Sequence, residues 1–185
     1  MHDERLANLL GALALTVNDL ALADATAAAG TSASGSAALV VLSTAPGLSV
    51  TELGRRVGLS QPAAARMVDG LEGRGLVERR PTLTRSVAVH LTAAGAGAAS
   101  RILGERGGRL GTLTAALDPR ERKLFADLAG KLLAAAYEQL PEADRLCRLC
   151  DRAACVAQGQ VCPVGAACRA REAADEPRHR HRGDR

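Results

Sequence analysis

Residues 49–92, SVTELGRRVGLSQPAAARMVDGLEGRGLVERRPTLTRSVAVHLT, decide the fold. They read as a short helix, a tight turn, a second helix, then strand–turn–strand. Ser49 and Glu52 form an S-x-x-E capping box: the hydroxyl takes an orphan amide of the first turn, and the carboxylate reaches back to the Ser49 amide. The helix closes at Val57–Gly58, since glycine takes a left-handed backbone without steric cost. Ser60 caps the next helix, and Pro62 sits in its first turn, where a missing N–H does no harm. Met67, Val68 and Leu71 keep the helical period until Gly75 stops it. Val87, Val89 and Leu91 then alternate opposite Leu76–Val77, giving a two-stranded wing around Pro81–Arg85. The expected fold class is mainly α with a small β-hairpin wing: a winged helix-turn-helix lobe plus a helical dimerisation lobe.

Such a motif presents a helix N-terminus and a basic hairpin tip to duplex DNA, although the same motif also serves protein contacts. Charge separates the two readings. Arg55, Arg56, Arg66, Arg74, Arg79, Arg80 and Arg85 stand against Glu52, Asp69, Glu72 and Glu78, a net +3 out of +4 for the whole chain of 185 residues. Double-stranded DNA is the partner this pattern suits. The only aromatic residues are Phe125 and Tyr137, with no Trp. Single strands and RNA loops are held by stacking bases on aromatic rings, so that class of partner is excluded.

The run GLSVTELGRRVGLSQPAAARMVDGLEGRGLVERRP, continuing into VAVHLTAAG, resembles the MarR family of bacterial regulators. With the flanking helices the resemblance covers residues 5–140. It implies a homodimeric repressor or activator, triangular in outline, on a pseudo-palindromic operator. It also implies a recognition helix at Ser60–Arg74, with Ser60, Gln61, Ala63, Ala64 and Arg66 facing the major groove. Arg85 becomes the wing-tip arginine entering the minor groove, and the basic Arg79 and Arg80 of the wing complete the DNA-binding set. One departure stands out. The family usually places an Asp shortly before that arginine, and here the shorter wing reads Thr82–Leu83–Thr84.

Around this centre, residues 3–25 form an amphipathic helix with Leu6, Leu9, Leu10, Leu13, Val17 and Leu20 on one stripe. Residues 26–36 read as a small-residue loop before a helix at 37–45 that Pro46–Gly47 breaks. A long helix from Ala93 to Leu117 carries six glycines, each interior one costing ~1 kcal/mol against alanine. Close helix approach is expected to offset that cost, with a break at Arg106–Arg109 as the alternative. Asp118, Pro119 and Glu121 restart a helix whose apolar face is Leu124, Phe125, Leu128, Leu132, Leu133 and Tyr137. The domain organisation expected is a dimerisation lobe of 1–30 and 93–140, a DNA-binding lobe of 31–92, a cysteine-rich segment of 141–168, and a disordered charged tail of 169–185. In that tail His179 and His181 read as a solvated pair. No apolar run reaches membrane-spanning length, and MHDERLANLL lacks the features of a signal peptide. A cytoplasmic location is expected.

All five cysteines lie in RLCRLCDRAACVAQGQVCPVGAAC, at Cys147, Cys150, Cys155, Cys162 and Cys168. Three readings compete: buried cysteines acting as small hydrophobes, a thiol–disulfide switch, and metal coordination. Coordination leads, because closely spaced thiolates converge on one centre without long-range folding, and a reducing compartment disfavours a disulfide scaffold. The set is Cys147, Cys150, Cys155 and Cys162, with Cys168 as alternate. Zinc usually takes two paired knuckles, whereas this segment has one C-x2-C pair and then wider gaps. Iron–sulfur clusters tolerate such gaps, and Cys162–Pro163 matches the Cys-Pro end of ferredoxin runs. A 4Fe–4S cluster is therefore preferred to zinc.

The reading that follows is a MarR-type transcriptional regulator, not an enzyme, whose operator binding is modulated by a cysteine-ligated cluster or metal. The first alternative is a MarR-type regulator with a small-molecule inducer and a purely structural zinc. A DNA-repair enzyme with a cluster loop is a remote alternative. The only lysines are Lys123 and Lys131, in the expected dimer helix, and no carboxylate cluster or nucleophile–histidine grouping is present. An electron carrier bearing a helix-turn-helix is the last alternative.

Overall fold

The computed structural model describes residues 2–82, 87–140 and 142–180, in two compact units that divide between Ala116 and Leu117. The first unit contains α1 (His2–Ala29), α2 (Ala33–Thr44), α3 (Val50–Val57), α4 (Gln61–Glu72), β1 (Val77–Pro81), β2 (Val87–Leu91) and α5 (Ala93–Thr114). The second contains α6 (Pro119–Gln139), α7 (Ala143–Leu146), α8 (Arg152–Cys155), a 3-10 turn (Ala157–Gly159) and α9 (Pro163–Arg180). The division falls inside 93–140, so the two C-terminal helices assigned to one dimerisation lobe lie in different units. Among the described residues no helix is long and apolar enough to cross a membrane.

Helix α2 is the core of the first unit. Its residues from Gly35 through Leu42 are buried on every side, as expected of a helix without a charged face. Leu39 and Leu42, Leu53 of α3, Val68 and Leu71 of α4 and Ile102 of α5 are all fully buried, and α2 packs on α3, α4 and α5. Fully burying each such side chain contributes ~1.5–3 kcal/mol. Ser32 caps α2 by accepting from the Gly35 amide at 3.1 Å. The small-residue loop expected at 26–36 is therefore only a turn around Gly30, because alanine-rich sequence on either side extends both helices.

The wing pairs antiparallel with Val77 opposite Leu91 and Arg79 opposite Val89. Val89 also donates to Leu48 O at 2.8 Å, tying the segment before α3 to the sheet. Helix α5 is continuous through Arg106–Arg109, so the alternative of a break does not hold. Close approach explains Gly95, where an added Cβ would lie 1.9 Å from the Leu76 carbonyl oxygen, but not the glycines farther along. At Gly104, Gly107, Gly108 and Gly111 an added Cβ would meet nothing within 4 Å.

In the second unit Asp118 caps α6 with a complete capping box. Its side chain accepts from Glu121 N at 2.9 Å, and Asp118 N donates to Glu121 Oε2 at 2.8 Å. Helix α9 packs on α6 and α7. It runs as far as Arg180, which corrects the expectation of a tail disordered from Arg169. RAREAADE has no apolar period, but Ala, Arg and Glu are strong helix formers and need none. His181 lies outside the described residues.

Candidate nucleic-acid interface

Helix α3 starts where the Ser49 hydroxyl accepts from the Glu52 amide at 3.1 Å. The Glu52 carboxylate, expected to reach back to the Ser49 amide, is taken instead by its own helix. Arg55 donates through Nε and Nη2, and Arg56 through Nε, each at 2.8 Å. Cations three and four residues on compete better for a carboxylate than one amide does. The hydrogen bonds from Arg55 and then Arg56 hold the Glu52 carboxyl at about 2, well below its usual range.

Gly58 takes a left-handed backbone (φ 79°), and Leu59 N donates to Gly54 O at 2.8 Å, which turns the chain into α4. A Cβ on Gly54 would lie 2.5 Å from the Ala64 methyl, so α3 and α4 pack through a position only glycine fits. This corrects one assignment: Ala64 is fully buried and forms part of the core with Val68 and Leu71, instead of facing the groove. Ser60 occupies the N-cap in extended geometry, yet its hydroxyl makes no cap hydrogen bond, contrary to expectation. Ser60, Gln61 and Arg66 point to solvent, and Ala63 is half-buried. Arg66 is in no ion pair among the described residues. The outward face of α4 thus carries an uncommitted hydroxyl, amide and guanidinium beside a helix N-terminus, groups suited to base edges and phosphate.

The wing arginines are less available than their charge suggests. Arg79, on β1, reaches across to α4. Its Nη2 donates to Asp69 Oδ1 at 2.6 Å, its Nη1 to Glu72, and its backbone amide to Glu72 Oε1 at 3.0 Å. The bond it donates to Asp69 foremost, with that to Glu72, pushes its guanidinium pKa further up. Arg79, expected as a DNA contact, is engaged by carboxylates of α4 and ties the wing to that helix. Arg80 pairs with Glu78 at the surface, its Nε donating at 2.9 Å. An exposed pair of this kind is worth only about 0–1 kcal/mol and is readily exchanged for a phosphate. Arg85 lies outside the described residues. Arg74, named only for its charge, donates to the Ala29 carbonyl at 3.1 Å and to that of Gly30, closing the C-terminus of α1. Only the fold reveals that role.

The MarR family model matches residues 29–84, which run from the end of α1 through both helices of the motif into the wing. Over these residues the winged lobe is similar to the MarR family. A MarR-family transcriptional regulator from Silicibacter pomeroyi is similar, with 29% identity and a TM-score of 0.54 over 69% of this chain and 86% of that one. The MarR-family protein Rv2887 of Mycobacterium tuberculosis, solved in complex with DNA, is 28% identical with a TM-score of 0.54 over 66% and 96%. The same protein has been solved with p-aminosalicylic acid. YusO of Bacillus subtilis shares the fold at 22% identity and a TM-score of 0.61, over 71% and 96%. No curated protein sequence matches the chain.

Beyond the MarR match, all five cysteines of the second unit are half-buried and in no disulfide. The Cys147 thiol is hydrogen-bonded to Cys150, and that bond, with burial and the neighbouring thiols, pushes it far above the usual thiol range. Burial, then the nearby Cys150 and Cys162, push Cys155 up to about 11. Cys168 faces elsewhere: it donates to Glu172 Oε1 at 3.5 Å and is hydrogen-bonded to Tyr137. As the side chains stand, no group of three or more His, Cys, Asp or Glu among the described residues is arranged to hold a metal ion.

Proposed function

We propose that this chain is a sequence-specific, double-stranded-DNA-binding transcriptional regulator of the MarR type. It acts as a homodimer on a pseudo-palindromic operator. The observation that carries the reading is the outward face of α4, where Ser60, Gln61 and Arg66 are uncommitted while Arg79 holds the wing against the same helix. Two such helices read half-sites about 34–36 Å apart. A second copy is favoured by the leucines left uncovered on α1 (Leu6, Leu9, Leu10, Leu13) and on α6 (Leu124, Leu128, Leu132, Leu133). The test is selection of duplexes from a random pool, followed by affinity measurement. Arg66→Ala is expected to cost ~1–3 kcal/mol on the selected site. An equal loss on scrambled DNA would make Arg66 a phosphate contact, and failure to select any sequence would overturn the proposal.

A finer reading is that a cysteine-bound centre in the second unit, an iron–sulfur cluster ahead of zinc, tunes operator affinity. Loss or oxidation of the centre would loosen the segment after α6 and change the spacing of the recognition helices. The support is the contact among four thiols. Equal operator affinity with and without the centre would sink it. The rival, a small-molecule inducer with an inert zinc, is favoured by the p-aminosalicylic acid complex of Rv2887. It predicts that p-aminosalicylate weakens operator binding whatever the metal content.

A further inference from the structure

Four of the five cysteines are gathered by local devices that leave the fifth out. Cys147 ends α7, and Cys150 N donates to Cys147 O at 2.9 Å, so a single tight turn places this pair side by side. Asp151 then caps α8 by accepting from Ala154 N at 3.0 Å, and one helical turn delivers Cys155. Gln158 (φ 56°) and Gly159 (φ 76°) take consecutive left-handed conformations. They reverse the chain and return Cys162 beside Cys155. Gln158 is the only non-glycine residue with positive φ among those described, a conformation that residues with a Cβ rarely adopt. Cys162 sits at the start of α9, where its Sγ accepts from Gly165 N at 3.4 Å.

We propose that Cys147, Cys150, Cys155 and Cys162 are the four thiolate ligands of one soft-metal centre, and that Cys168 is not a ligand. This deepens the finer reading above and does not depend on the DNA-binding one. Loading replaces S–H with S–metal bonds, each thiol releasing its proton to solvent as the side chains turn from one another toward the ion. A soft cation is the ligand because sulfur is the only donor the cluster offers. The donors come from helix ends and a reversed turn, not from two hairpin knuckles, which suits an iron–sulfur cluster better than a single zinc. Cys155 also lines an open groove with Gly130, Leu133, Pro163 and Ala166, so the centre has a route to solvent.

The test uses the full chain, purified without oxygen and assayed for iron, acid-labile sulfide and zinc. The expected result is one centre per chain: about four iron and four sulfide for a cluster, or about one zinc. Either composition supports the four-thiolate site, and the assay tells the two apart. A thiol reagent should find one fast-reacting sulfur in the loaded protein and five after chelation and unfolding, a count that needs no variant. Cys168→Ser should keep the centre, and Cys150→Ser should lose it, with helical circular dichroism as the control for folding. Chains without stoichiometric metal, five equally reactive thiols, or loss of the centre in Cys168→Ser would each overturn the proposal. Operator affinity measured on the same samples is independent: a loaded site with unchanged DNA binding overturns only the regulatory reading.

Discussion

Helices α2 and α6 are both rich in alanine and leucine, and they meet opposite fates. In α2 the run from Gly35 through Leu42 is buried, and the first unit closes around it. In α6 only Tyr137 is buried, while Leu124 and Leu132 stay more than half exposed. The difference lies in what flanks the apolar residues. Helix α2 carries no charge and can be surrounded; α6 alternates its leucines with Arg120, Arg122, Lys123, Asp127 and Lys131 and can be covered on one face only. Within the chain α9 covers part of that helix. A leucine stripe is thus a demand for a partner, and the tertiary structure decides whether that partner is the chain itself.

The contrast can be broken most forcefully at its two extremes. Leu39→Ala should destabilise the first unit by ~2–5 kcal/mol, read by urea unfolding of the full chain. Leu128→Ala should leave unfolding within about 0.5 kcal/mol at dilutions where the chain is monomeric, yet weaken self-association in sedimentation. Equal destabilisation by the two changes would mean that the α6 face is covered by its own chain. A smaller effect is expected at the wing. Arg79→Ala leaves the Asp69 and Glu72 carboxylates without their shared cation and should cost about 1 kcal/mol. It should also lower affinity for all duplexes alike, because it frees the wing and removes no base contact. A sequence-dependent loss would restore Arg79 to the DNA-reading set.

The smallest effect concerns Glu52. Its folded carboxyl sits at about 2 against an ordinary 4.5, so the pair with Arg55 and Arg56 is stabilising above pH 4.5 and is lost as the pH falls toward 2. Because these side chains are partly exposed, solvent screening holds the contribution to ~0.3–0.5 kcal/mol. Glu52→Gln should flatten that part of the stability–pH curve. An unchanged slope would show that the carboxylate is no better held in the folded state than in the unfolded one.

Much of the winged lobe was legible because its signals are local. The Ser49 cap, the Gly58 turn, Pro62 in the first turn and the alternation of Val87, Val89 and Leu91 each depend on residues a few positions apart. The candidate interface was legible only in part. Ala64 reads as a small outward residue until Gly54 brings α3 against it, and Arg79 reads as a free cation until β1 lies beside Asp69 and Glu72. In the second unit the cysteine spacing was visible, but the separation of Cys168 from the other four follows from Tyr137 and Glu172, which no spacing rule consults.

The sequence by itself determined where the two helices of the 49–92 motif begin and end, and that thiols crowd into one segment. Caps, turns and periodicity act over one or two helical turns, and their energies do not depend on distant chain. The tertiary structure decided which arginines are spent on the protein's own carboxylates and carbonyls and which remain for DNA. It also decided which thiols face one another. Those choices depend on Coulomb and hydrogen-bond energies that fall off within a few ångströms, so they are settled only when remote segments are packed into contact.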